Sequence, residues 1–417
     1  MNALAPFRHG PFRWLLSGRV VSALGNAVAP IALAFAVLDL TGSPRDLGIV
    51  VGVRTLFNVA FLLFGGVLAD RLPRHLLMVG TSVAAGLTQA AIAATVLTGT
   101  ATVATLVGLS AANGVFSALA MPASAALLPQ TVPADERQQA NALSRLFFNT
   151  TMIVGASAGG VLVATIGPGW GIAIDAATFF LAAACFSLVR VPMLVGPQAP
   201  ADRPSFIADL RTGWTEFISR TWLWVVVAGF AVVNACLSGG IQVLGPVVAN
   251  DTFGRRAWGF VLAAQTVGMV AGGLLAIRLR MRRMLFFGVA SVGLVVLPIL
   301  ALGVAPLVVV LIATAFVAGI GVEQFSVAWE TTMQEHIPAD KLARVYSYDM
   351  VGSFVAMPVG EVIVGPVAQA VGVEPTLVGA AVLIGVAVLG MLASRDVRRL
   401  PHRVPSRQPA AMEELAW

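Results

Sequence analysis

Residues 65–77 read GGVLADRLPRHLL, with Asp70, Arg71, Arg74 and His75 crowded against the end of a run, Leu56 to Leu68, in which only Asn58 is polar. What an acid and several bases do there depends on the solvent around the segment. Apolar residues fill 58% of the 417 positions and charged residues only 11%, against about 45–50% and about 25% in ordinary soluble domains. Predominantly apolar stretches recur at roughly 14–38, 46–69, 75–98, 104–123, 146–166, 170–189, 222–248, 257–277, 284–303, 306–331, 346–368 and 376–394. Each is long enough to cross the ~30 Å hydrocarbon core as a helix of about 20 residues. Lipid offers no partner to the backbone, so each span must satisfy its own groups, and the alternating strands of a membrane barrel are absent. The expected fold is an all-α membrane protein of twelve transmembrane helices, and the charged cluster at 70–75 marks the interfacial end of the second.

Arg8 and Arg13 precede the first span without a clear small-residue cleavage site, so the N-terminus reads as a retained helix and not a signal peptide. Basic residues set the orientation. With the N-terminus cytoplasmic, only Arg45, Arg255 and Arg256 fall in outside loops and Arg19 and Arg54 lie within spans, leaving the rest of the 26 Lys and Arg inside. Both termini are therefore expected on the cytoplasmic side of the inner (cytoplasmic) membrane. The net charge of +6 calls for no nucleic acid, because the basic segments face anionic lipid. Cys185 and Cys236 fall inside spans and read as small apolar fillers. The four histidines are far apart in sequence, so neither a metal site nor a cofactor is expected.

An internal repeat organises the chain. Val132-Pro133-Ala134-Asp135 returns as Ile337-Pro338-Ala339-Asp340, 205 positions later, and at that offset Gly155 and Gly160 land on Gly360 and Gly365. Both copies follow an even-numbered span, which implies two six-helix bundles related by a parallel pseudo-repeat, 1–191 and 222–395. Gly273-Leu274-Leu275-Ala276-Ile277-Arg278-Leu279 echoes Gly66-Val67-Leu68-Ala69-Asp70-Arg71-Leu72, with Ile277 in place of the acid. Between the halves, 192–221 reads as a cytoplasmic linker. Phe206, Leu210, Trp214 and Phe217 give its second part, Ser205 to Ser219, the spacing of an amphipathic surface helix. The tail, 396–417, rich in Arg and Pro, reads as disordered.

The 65–77 stretch resembles the loop motif between the second and third helices of the major facilitator superfamily, and twelve spans in two similar halves with a central linker agree with it over the whole chain. Leu40-Thr41-Gly42-Ser43, Pro129 with Val132-Pro133, Ala140-Asn141-Ala142-Leu143-Ser144, Ile174-Asp175-Ala176-Ala177-Thr178-Phe179 and Asp209-Leu210-Arg211-Thr212-Gly213 resemble the branch of macrolide and siderophore exporters. Two positions depart from the pattern: Pro73 stands where the family usually has Gly, and Ala156 follows Gly155 where many exporters carry Gly-Pro. The resemblance implies a conformational gate at Gly66, Asp70, Arg71 and Arg74, in which a carboxylate at a helix end pairs with a neighbouring helix N-terminus and with arginines until the halves rock apart. The competing reading is that the bases only anchor the loop at lipid headgroups.

The resemblance also implies that helices one, four, seven and ten line a central cavity. Asn26, Asn113, Asn234 and Gln324 lie near the middles of those spans and are the expected cavity residues, although a mid-span amide also serves as interhelical glue worth ~0.6 to 2 kcal/mol. An ionised carboxylate inside a span costs on the order of 3 kcal/mol, so Glu323, Glu361 and the shallower Asp175 are expected to be paired, protonated or wet. They are the candidates for proton coupling, with Arg19 and Arg54 as counter-charges; the alternative for each is a static ion pair. Asn26, where the family often has an acid, cannot titrate.

Gly155-Ala156-Ser157-Ala158-Gly159 matches a hydrolase elbow only in letters, since it lies inside a span where small residues permit close helix packing. No Gly-rich phosphate loop with Lys-Ser/Thr is present. The expected function is therefore a secondary transporter, not an enzyme: an exporter of hydrophobic or amphipathic small molecules by proton antiport. Its partners would be substrate, protons and the bilayer, and it is expected to be a monomer. An importer or facilitator of a small organic solute, or a non-transporting sensor on the same fold, is the alternative.

Overall fold

The computed structural model describes residues 4–190, 214–278 and 281–401; the side chains of 63–71 and most of the expected linker, 191–213, lie outside that description. Helices carry the chain. In order they are α1 (Gly10–Thr41), α2 (Pro44–Arg71), α3 (Arg74–Leu97), α4 (Val103–Leu127), α5 (Arg137–Ile166) and α6 (Pro168–Ser187). The second half comprises α7 (Thr221–Asp251), α8 (Arg255–Arg278), α9 (Met284–Val304), α10 (Val308–His336), α11 (Ala339–Phe354, continued by Ala356–Val371) and α12 (Val373–Ala393). Among the described residues, eleven helices are long and apolar enough to cross a membrane, and α2 is the twelfth long helix. Large side chains such as Val309, Leu389 and Leu87 point outward where acyl chains would lie, 79%, 67% and 60% exposed.

The helices end where backbone chemistry stops them. Gly42 takes the left-handed conformation (φ 64°) and its N–H bonds Leu38 O at 2.8 Å, closing α1. Pro73 (φ −56°, ψ 119°) caps α3 without a glycine, so the loop motif's departure is accommodated by extended backbone. A one-residue turn at Val355 breaks α11 three residues before Pro358, whose ring supplies no N–H to the carbonyl one turn back. In α7, Gly239–Leu244 widens into a π-helical turn.

The repeat is visible in the contacts. A Cβ on Gly155 would meet α1 (Leu24 O, 3.1 Å), and one on Gly360 would meet α7 (Ala235 O, 2.1 Å). Gly160 abuts Gly259 of α8, and Gly365 abuts Pro44 O and Arg45 of α2. Gly167 (φ 89°) and Gly372 (φ 97°), again 205 apart, make the same turn before α6 and α12. Two six-helix bundles are thus related by a parallel pseudo-repeat, meeting through α2 against α11 and α5 against α8. An even number of crossings puts both described ends of the chain at one end of the bundle, here the terminal end. At the opposite, distal end Arg255 of α8 donates to Asp39 of α1 (2.9 Å), and Gln369 of α11 donates to Ser43 (3.2 Å).

Two expectations shift at the edges. The segment 137–145 is helical, so α5 starts nine residues before its apolar run, and Arg395–Arg399 forms a short helix because Val397 buries completely against the C-terminal bundle. Of the expected amphipathic helix only its end is described: residues 214–218 are helical, and Trp214 and Phe217 pack on Tyr348 at 5.5 and 5.9 Å.

Candidate functional site

At mid-depth in the N-terminal bundle a polar cluster joins four helices. Arg54 Nε of α2 donates to Asn113 Oδ1 of α4 (3.3 Å), whose Nδ2 donates to Thr88 Oγ1 of α3 (3.3 Å). One residue along α3, Gln89 Nε2 donates to Asp175 Oδ2 of α6 (2.5 Å). Asp175 is 0% exposed, and its Oδ1 has no hydrogen-bond partner. It lies against the backbone of α1, where a Cβ on Gly25 would come within 2.2 Å of Oδ1 and 2.0 Å of Thr178 Oγ1. Only glycine lets α1 approach a carboxylate so closely.

Glu361 reaches this region from the other half. It is 1% exposed, accepts from the Ser238 hydroxyl of α7 and leaves Oε2 without a partner. Its backbone carbonyl would lie 2.4 Å from a Cβ on Gly48, which presses α11 onto α2. Arg54 interacts electrostatically with both Asp175 and Glu361. One guanidinium therefore interacts with two sealed carboxyl groups, one from each bundle. An ion buried without a partner costs several kcal/mol, so the two acids and the guanidinium depend on one another.

Glu323 stands apart from that cluster. It is half-buried on α10 against Gly272 and Gly273 of α8, and the charge facing it is Arg145 of α5. Of the two expected counter-charges, Arg54 interacts electrostatically with Asp175 and Glu361, while Arg19 has no hydrogen-bond or ion-pair partner among the described residues. Three of the four expected cavity amides bind other helices instead of facing open space. Gln324 Nε2 donates to Gly272 O (2.7 Å), Asn234 Nδ2 donates to Ser353 O beside the α11 break (2.9 Å), and Asn113 is the Arg54 acceptor. A buried amide without a partner costs about 1–3 kcal/mol, so apolar surroundings draw it into such ties. Asn26, bonded to Ser22 O at 2.9 Å, does face a cavity. Of the expected gate, the side chains of Gly66, Asp70 and Arg71 lie outside the described residues, and half-buried Arg74 opens α3.

That cavity, of ≈ 750 Å³, is enclosed by α1 to α6 alone, in the terminal half of the N-terminal bundle. Arg19, Arg54 and Arg145 line it with Asn26, Asn141 and Asn149. Sequence reading missed Gln89 and Arg145. For Arg145 a signal existed: Asn141, Arg145 and Asn149 recur every four residues, one polar face of a helix begun earlier than its apolar run. Among the described residues no group of His, Cys, Asp or Glu could hold a metal, and both cysteines are free.

Two packed bundles of apolar helices, with buried charges at their junction and a cavity within one of them, fit a membrane transporter. The Major Facilitator Superfamily model matches residues 15–361, and the chain belongs to that family of transporters, which are not enzymes. It is similar to the multidrug efflux pump Tap of Mycolicibacterium fortuitum, 26% identical over 93% of this chain and 95% of that one. It also resembles the enterobactin exporter EntS of Shigella boydii, 25% identical over 64% of this chain and 63% of the exporter. Among solved structures, a bacterial homolog of the human lysosomal transporter Spinster, in an inward-facing and unoccupied conformation, superposes with a TM-score of 0.75 at 14% identity, covering 95% of this chain and 99% of that one. The nucleoside transporter NupG gives 0.74 at 11% identity, covering 92% and 98%.

Proposed function

We propose that this multi-pass membrane transporter exports hydrophobic or amphipathic small molecules in exchange for protons, as a monomer with both termini in the cytoplasm. The similarity to two exporters supports the direction. The observation that supports coupling is the Arg54, Asp175 and Glu361 array, because Glu361 belongs to one bundle and the other two belong to its partner. Rocking the bundles apart changes the separation of Glu361 from Arg54. At an effective dielectric near 20, drawing two unit charges apart by a few ångströms is worth about 1 kcal/mol, roughly fivefold in proton affinity. Proton binding and the rocking motion are then linked. Glu323 opposite Arg145 is a second coupling site on the same logic, and Gly66, Asp70, Arg71 and Arg74 remain the proposed gate at the terminal ends of α2 and α3.

The test uses an efflux-deficient bacterial host expressing the protein and a compound panel. For each compound that the protein excludes, accumulation should rise when an uncoupler collapses the gradient. In vesicles, Asp175→Asn and Glu361→Gln should abolish gradient-driven export while downhill exchange of labelled for unlabelled compound survives. Full gradient-driven export by both variants would refute the coupling role of this array, and survival in Glu323→Gln alone would remove Glu323 from it. A cysteine at exposed Thr252 should react with an impermeant maleimide in intact cells; labelling only after lysis reverses the orientation.

A further inference from the structure

The cavity of the N-terminal bundle has a one-sided charge. Among the described residues three arginines line it and no carboxylate does. Arg54 is balanced from behind by Asp175 and Glu361, and Arg145 faces Glu323 on the neighbouring bundle, but Arg19 lies within the α1 span with no partner among the described residues. A guanidinium held at membrane depth is costly unless it meets a counter-ion or water, and its planar fork suits a carboxylate, sulfonate or phosphate. Around it the wall alternates amides and hydroxyls with Phe116, Phe148, Phe179 and Phe186. A space of this size is in the range of small-molecule sites, about 300–1,000 Å³.

On the reading that the protein is a transporter of amphipathic molecules, we infer that its cargo is an amphipathic organic anion whose acidic group is held by Arg19 and Arg145, with its apolar body against the phenylalanines. The cavity lies in the terminal half of the bundle, so with cytoplasmic termini the anion enters from the cytoplasm. An anionic lipid headgroup would satisfy the same arginines, and the experiment separates the two.

Protein in phosphatidylcholine nanodiscs is titrated at neutral pH with 1-pyrenebutyrate and with 1-pyrenebutanamide, which differ in charge and hardly in shape. The carboxylate should bind about tenfold or more tightly than the amide. Arg19→Gln and Arg145→Gln should each lose about tenfold for the carboxylate and leave the amide within about twofold, and Arg19→Lys should retain most of the preference. Equal binding of the two probes by the wild-type protein overturns the inference, as does an equal loss for both probes in variants that elute as a single folded species. If no variant is recovered folded, the wild-type ratio alone decides. With about a third of the lipid replaced by phosphatidylglycerol the carboxylate affinity should hold; displacement assigns the arginines to lipid and overturns the inference. Binding is read without a gradient, so failure of uncoupler-sensitive export with intact charge selectivity condemns the proposed function and not the anion site, and the converse result condemns only the anion site.

Discussion

The distal clasp between the bundles offers a perturbation whose size can be worked out. Arg255, the first residue of α8, donates to both carboxylate oxygens of Asp39 on α1, shares its fork with Asn250 Oδ1 (3.0 Å) and lies over the Phe35 ring at 4.8 Å. The side chains of the pair are 24% and 44% exposed, so the ion pair is worth about 0.2–1 kcal/mol. The cation–π contact adds about 0.5–1 kcal/mol. Asp39→Asn removes the first of these, and Arg255→Gln removes both, about 1–2 kcal/mol. At 1.4 kcal/mol per tenfold this is about a 5- to 30-fold shift toward conformations that are open at the distal end. Pulsed electron paramagnetic resonance between spin labels at Leu97→Cys and Val371→Cys, in a background with Cys185 and Cys236 replaced by Ser, reads that shift as growth of the long-distance component. Both label sites are exposed at the distal end, one in each bundle. The double variant should match Arg255→Gln alone, because the pair is already broken. An unchanged distance distribution in Arg255→Gln, or a larger effect from Asp39→Asn, would refute the reasoning.

Gly25→Ala should destabilise the protein by about 1–3 kcal/mol, since its methyl group would overlap Thr178 Oγ1 and Asp175 Oδ1 while the Asp175 backbone, 3.1 Å away, cannot retreat. Thermal unfolding in detergent checks this against Gly80→Ala, which meets nothing within 4 Å and should leave Tm unchanged or slightly raised; equal Tm values would contradict the contact. Glu216, at the end of the linker, is held below the ordinary carboxylate range by its hydrogen bonds to Lys341 and Arg220. A depressed folded value means that this clasp stabilises above the unfolded pKa of about 4.3 and is lost as pH falls through the lower folded value. Hydrogen exchange of residues 214–220 should therefore be slower than in Glu216→Gln above pH about 5, with the difference shrinking as pH falls through the lowered folded value; identical exchange at neutral pH would discount the clasp.

The spans were readable because lipid imposes a length of apolar sequence, and the halves because Pro133 and Pro338, Gly155 and Gly360 keep their spacing. Residues 137–145, RQQANALSR, hid the start of α5, because a helix facing a cavity does not announce itself by hydrophobicity. Asp175 looked the shallowest of the acids from its position in the sequence. Its complete burial depends on Gly25 and Gln89, 150 and 86 residues away, and no local pattern reports contacts at that range. Of the expected cavity amides Asn26 faces the cavity, whereas Gln324 and Asn234 are taken up by backbone carbonyls on α8 and α11, contacts that no local pattern reports.

The contacts of Gly160 with α8 and of Gly365 with α2 are reciprocal: the fifth helix of each half meets the second helix of the other. That is the isologous geometry of a two-fold homodimer, so the chain has the architecture of a symmetric pair of half-length subunits joined by a linker. In a true homodimer every buried charge would occur twice. Here α8 carries no charged residue between Arg256 and Arg278, and α12 carries only Glu374 at its start, so neither Arg54 nor Asp175 has a charged counterpart. One half therefore holds Arg54 and Asp175 while the other supplies Glu361 and apolar mates, so this array buries half the charge that a symmetric pair would.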